Sequence, residues 1–120
     1  MQGHFQLGLL YVKLKEWPQA IESYQKAVAL DPESPDTFFN LGYVYARVKD
    51  YPKAEEMYGR VVDLAPSYLD QALFNLAIVQ AKLGKREQSI HNLEEAIVLN
   101  PKNNQAREYL QRLKEKQGEA

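Results

Sequence analysis

Apolar residues return along this chain at helical spacing, in stretches several turns long separated by short polar breaks. Phe5, Leu7, Leu9, Leu10, Tyr11 and Leu14 form the first stretch. It is too rich for one narrow stripe, so the helix it predicts buries more than one face. The break Lys15-Glu16-Trp17-Pro18 follows. Proline suits the first turn of a helix, where no backbone donor is needed. A second helix then carries Ala20, Ile21, Tyr24, Ala27, Val28 and Leu30, and Asp31-Pro32 stops it. Ser34-Pro35 opens another helix, Ser67 with Asp70 reads as a capping box, and Asn103 is a good cap for the last helix. No stretch alternates with period two for long enough to predict a strand. The expected class is all-α.

The chain also repeats itself. A shift of 34 residues lays Leu7-Gly8 on Leu41-Gly42, Tyr11 on Tyr45, Trp17-Pro18 on Tyr51-Pro52, Ala20 on Ala54 and Tyr24 on Tyr58. A further shift of 35 takes Leu41-Gly42 to Leu76-Ala77, Ala54 to Ser89, Tyr58 to Leu93 and Pro66 to Pro101. The extra residue falls in the connection after Pro66, where insertion is tolerated best. Gly8, Gly42 and Ala77 are small on one helix of each unit, and Ala20, Ala54 and Ser89 are small on the other. Two facing columns of small residues let backbones approach, while Tyr11, Tyr45, Tyr24 and Tyr58 fill the space around them. The last helix, about 104–116, carries Ala106, Tyr109, Leu110 and Leu113 on one side and charged residues elsewhere. That pattern is expected of a helix that caps an array.

In this period, and in its periodic proline, the sequence resembles the tetratricopeptide repeat family, over essentially its whole length. Leu7, Gly8, Tyr11, Ala20, Tyr24, Ala27 and Pro32 match the family pattern. Departures are His4, where the family often has tryptophan, and the third unit, with Ala77, Gln80, Ser89 and Leu93. The resemblance implies one domain: a right-handed α-solenoid of three helix-turn-helix units, at about 1–34, 35–69 and 70–103, closed by the capping helix. It also implies a protein that holds another polypeptide and is no enzyme.

The resemblance further places a concave groove along the first helices of the units. One column across it is Phe5, Phe39 and Phe74, with Gln6, Asn40 and Asn75 beside it. Next come Leu9, Tyr43 and Ile78, then Val12 with Ala46 and Ala81, and then Lys13, Arg47 and Lys82. Generic members share Lys13, Asn40 and the aromatic column, so Leu9, Tyr43 and Ile78 carry the argument for an apolar groove. Its expected occupant is a protein or peptide segment with apolar and some acidic residues. A subtype of the family grips acidic chaperone tails with a clamp of Lys, Asn and Arg. Only Asn40 fits that pattern, because Phe5, Leu9, Gln71 and Asn75 replace the rest, so an amphipathic helix or extended hydrophobic segment suits the groove better.

Composition narrows the chemistry. With 15 basic and 16 acidic residues the net charge is -1, which removes the clustered cations that nucleic-acid binding needs. There are no cysteines, so disulfides and thiol nucleophiles are excluded. No apolar run approaches a bilayer's thickness and no signal peptide is visible, so direct membrane insertion is not expected. A soluble protein is expected, with the cytoplasm preferred to the periplasm. His91 and Glu95 share a helix face but make no two-histidine metal site, the serines lack a histidine and acid, and no glycine-rich phosphate loop exists. No metal and no cofactor are expected.

The start of the chain raises one alternative. Met1-Gln2-Gly3 shows no helix-start signal, and Leu10 and Leu14 stand where a repeat packs on a preceding one. Either the chain is a piece of a longer repeat protein, or this face joins copies into a self-assembling homo-oligomeric scaffold. A regulatory segment of a larger enzyme is a third reading, resting on that start alone.

Overall fold

The computed structural model describes residues 2–119, as seven helices with no strand among the described residues. They are α1 (Gln2–Lys13), α2 (Trp17–Leu30), α3 (Pro35–Arg47), α4 (Tyr51–Leu64), α5 (Leu69–Lys82), α6 (Arg86–Leu99) and α7 (Asn104–Glu119). α7 runs to Glu119 rather than stopping near residue 116. Each helix packs mainly on its neighbours in sequence, which draws the molecule out to 47 × 26 × 20 Å.

Inside the pairs α1/α2, α3/α4 and α5/α6, the turn has one design. Lys15, Lys49 and Gly84 adopt positive φ of 59°, 66° and 79°. The following N–H then reaches back five residues: Glu16 to the Tyr11 carbonyl at 2.9 Å, Asp50 to Tyr45 at 2.8 Å and Lys85 to Gln80 at 2.8 Å. These bonds satisfy carbonyls that the helix ends leave open. Glycine meets this backbone without strain, whereas each lysine bears a steric cost of about 1–2 kcal/mol.

The starts of the helices follow the sequence in part. Pro18, Pro35 and Pro52 lie in first turns, and Asn103 Oδ1 accepts from the Ala106 N–H at 3.1 Å as a cap should. The capping box at Ser67 and Asp70 does not form. α5 is entered through Tyr68, without a side-chain cap. Asp70 Oδ2 instead accepts from Asn100 and Asn103 Nδ2, both at 3.0 Å, tying α5 to the connection before α7. A shorter acid at that position serves a tertiary contact better than its own helix end.

The small columns meet where expected. A Cβ built on Gly42 would lie 2.7 Å from the Tyr58 ring, and one on Gly8 would crowd Tyr24 in the same way. Ala20, Ala54 and Ser89 on the opposing helices are fully buried. In the third pair Leu93 replaces the tyrosine, Ala77 fits without clash, and Ser89 Oγ donates to the Ala77 carbonyl at 2.7 Å.

Candidate functional site

The first helices of the pairs, α1, α3 and α5, bring together residues far apart in sequence. Phe5, Asp36, Phe39, Asn40, Tyr68 and Gln71 line an open cleft of about 320 Å³. A second cleft of about 510 Å³ shares Phe5 and Asp36 and adds Gln6, Leu30 and Asp31. Leu9 and Tyr43 are exposed, and Ile78, Val12, Ala46 and Ala81 are half-buried. The apolar column with Leu9 and Tyr43 therefore reaches solvent across the first two pairs.

The phenylalanine column is less uniform than its spacing. Phe5 and Phe39 are half-buried, with ring centroids 5.8 Å from Tyr24 and 5.7 Å from Tyr58. Phe39 also meets Tyr68 edge-on at 5.4 Å. Phe74 is only 8% exposed, and the Tyr109 ring of α7 stands edge-on against it at 6.2 Å. The aromatic stripe is thus open at Phe5 and Phe39 and closed at Phe74, because the capping helix covers the third pair.

The amide column also divides. Gln6 is exposed and Asn40 half-buried. Asn75 accepts from Gln71 Nε2 at 2.9 Å and donates to the Tyr58 hydroxyl at 3.4 Å, so both ends of its amide already have partners. Lys13, Arg47 and Lys82 are exposed in the last turns of α1, α3 and α5, where cations also favour the helix C-termini. Arg47 lies over the Trp17 ring at 5.6 Å, which fixes the middle of the basic column against α2. Asp36, in the first turn of α3, lines both clefts, whereas Asp70, in the first turn of α5, is held by Asn100 and Asn103.

Tyr68 and Asp36 were not singled out by the sequence. The Tyr68 hydroxyl donates to Asp36, and burial together with that carboxylate pushes its pKa upward. Tyr68 stands at the N-cap of α5 where α3 has Ser34, so the aromatic ring there does not recur with the repeat and no periodic signal marks it.

His91 is exposed and His4 half-buried. Among the described residues, no group of three or more His, Asp or Glu could hold a metal, and no helix is long and apolar enough to cross a membrane.

A helical repeat solenoid with paired small columns defines the class, and the comparisons agree. A tetratricopeptide repeat model matches residues 33–100, and a second model of the same repeat matches residues 8–49. The chain belongs to the tetratricopeptide repeat family. No protein of curated function matches it. Among solved structures it resembles the first TPR of Spaghetti (RPAP3) bound to the HSP90 peptide SRMEEVD. The identity is 27%, the TM-score is 0.88, and 98% of this chain and 94% of that one are covered. The second TPR domain of human RPAP3, in complex with the HSP70 peptide SGPTIEEVD, is 25% identical, with 92% of each chain covered and a TM-score of 0.85. The MamA protein shares the fold at 23% identity and a TM-score of 0.89, over 97% of this chain and 63% of that one.

Proposed function

We propose that this chain is a protein-interaction adaptor that takes a peptide or helix along α1, α3 and α5, and that residues 1–120 act as one domain with α7 as its cap. The observation that carries the reading is the exposed pair Leu9 and Tyr43 beside the cleft at Phe5 and Phe39. Apolar surface of this kind, flanked by cations, is suited to a segment with an apolar face and acidic residues on one edge. RPAP3 domains of the same fold hold peptides ending in EEVD, which supports a peptide ligand here. The clamp residues that grip such tails are not matched beyond Asn40, so the ligand is proposed to be more apolar than those peptides.

The test is capture of partners from source-cell lysate on the intact domain, beside Phe39→Ala and Tyr43→Ala with helicity checked. Tyr43 is exposed, so its variant reports on binding without disturbing the core. A protein held by the wild type and lost by both variants would establish the groove. One held equally by all three would move binding elsewhere on the surface.

A further inference from the structure

Asp36 on α3 and Gln71 on α5 stand 35 residues apart, at the same place in successive units. On α5, Gln71 Nε2 donates to Asn75 Oδ1 and Asn75 Nδ2 donates to the Tyr58 hydroxyl of α4. An ionised carboxylate has no proton to donate, so Asp36 cannot start the same chain through Asn40 to Tyr24. The Tyr24 hydroxyl is buried without a partner, and among the described residues the Asn40 side chain forms no hydrogen bond. Asp36 turns to the next unit instead, where its Oδ1 accepts from the Tyr68 hydroxyl. The exchange of amide for acid thus leaves the Asn40 amide and the second Asp36 oxygen open.

The cleft they line has three aromatic residues, Phe5, Phe39 and Tyr68. Phe39 and Tyr68 meet at 75°, which makes a corner rather than a flat wall. The adjoining cleft adds a second acid, Asp31. No lysine or arginine lines either cleft, and among the described residues Asp36 enters no ion pair. An acid in the first turn of a helix gains from the helix N-terminus, but that does not gather aromatic rings around it. Aromatic rings attract cations, and a carboxylate among them adds a charge-assisted hydrogen bond. A guanidinium suits both at once, because its plane stacks on rings while its N–H groups reach carboxylate and amide oxygens. Lys13, Arg47 and Lys82 lie in the last turns of the same helices, so the two sides of the groove differ in charge.

We infer, on the basis of the groove proposed above, that the cleft at Asp36 and Tyr68 is a cation pocket for an arginine side chain of the groove ligand. The ligand then carries opposite charges on the two sides of its apolar face, its cation at Asp36 and its acids toward Lys13 and Arg47. That arrangement fixes which way round it lies.

The probe is a library of random peptides selected on the intact protein, with each recovered sequence measured by fluorescence anisotropy. Peptides that need the groove are those weakened by Tyr43→Ala. They are expected to carry a cation, arginine before lysine. Citrulline in place of the arginine keeps its shape without the charge, and should weaken binding about tenfold. Asp36→Asn should weaken the arginine peptides by a similar factor and the citrulline peptides hardly at all. Asparagine still offers Tyr68 an acceptor, so the melting temperature, measured alongside, should hold. Asp36→Lys should reverse the preference, with glutamate in place of the arginine restoring binding. Groove peptides without a cation would overturn the pocket and leave the groove standing, as would arginine peptides indifferent to Asp36→Asn. Peptides weakened by Asp36→Asn but not by Tyr43→Ala would keep the pocket and dismiss the apolar groove. Recovery of no peptide that depends on either residue would sink both.

Discussion

The Gly42–Tyr58 contact shows how one residue sets the spacing of a helix pair. A Cβ at residue 42 would stand 2.7 Å from the tyrosine ring, and that ring is almost fully buried with nowhere to retreat. Gly42→Ala should therefore lower stability by about 1–3 kcal/mol through overpacking. Ala77 and Leu93 have solved the same crossing with a larger residue on one side and a smaller one on the other. In a Tyr58→Leu background, then, Gly42→Ala should cost clearly less, and a double-mutant cycle from denaturant melts measures the difference. This level was legible in the sequence wherever a residue's job is intrinsic to the repeat. The small columns and the core tyrosines follow from the period alone. The period likewise sets Phe74 and Asn75 in the columns of Phe39 and Asn40. Their environments depend on Tyr109 and on Gln71 with Tyr58, contacts that no period encodes.

At the level of elements, the three turns inside the pairs share one backbone path but not one residue type. Gly84 adopts positive φ freely, while Lys15 and Lys49 adopt it against their own side chains. Lys49→Gly should stabilise the array by up to about 1 kcal/mol, the relief of the left-handed strain less the added freedom of the unfolded chain. Thermal or urea melts read the change directly, and a loss of stability would show that the Lys49 side chain makes a contact worth more than the strain. The helices and their breaks were predictable because proline and apolar spacing are local signals. The failure at Ser67 and Asp70 was not: a capping pattern competes with tertiary partners, and Asn100 and Asn103 lie some thirty residues away.

Across the whole molecule, buried tyrosines tie the array to one ionisation state. Burial pushes Tyr24 and Tyr58 from 10.0 to about 12, and Tyr109 is raised as well. The folded state thus holds these protons more tightly than the unfolded chain. Their contribution is complete below pH 10 and is lost as pH rises toward about 12. Circular dichroism should show the melting temperature falling in that window, with a shallower fall in Tyr24→Phe. That variant is well suited to the test because the Tyr24 hydroxyl is buried without a hydrogen-bond partner, so its removal leaves no group stranded. Because the helices pack in series, strain introduced at one tyrosine is passed to neighbouring pairs rather than to a common centre.

The Tyr109 ring against Phe74 has one more consequence. By closing the aromatic stripe at its third position, α7 leaves open only the stretch at Phe5 and Phe39. For the proposed groove ligand α7 would then be a stop on a track, and selectivity would include length as well as chemistry.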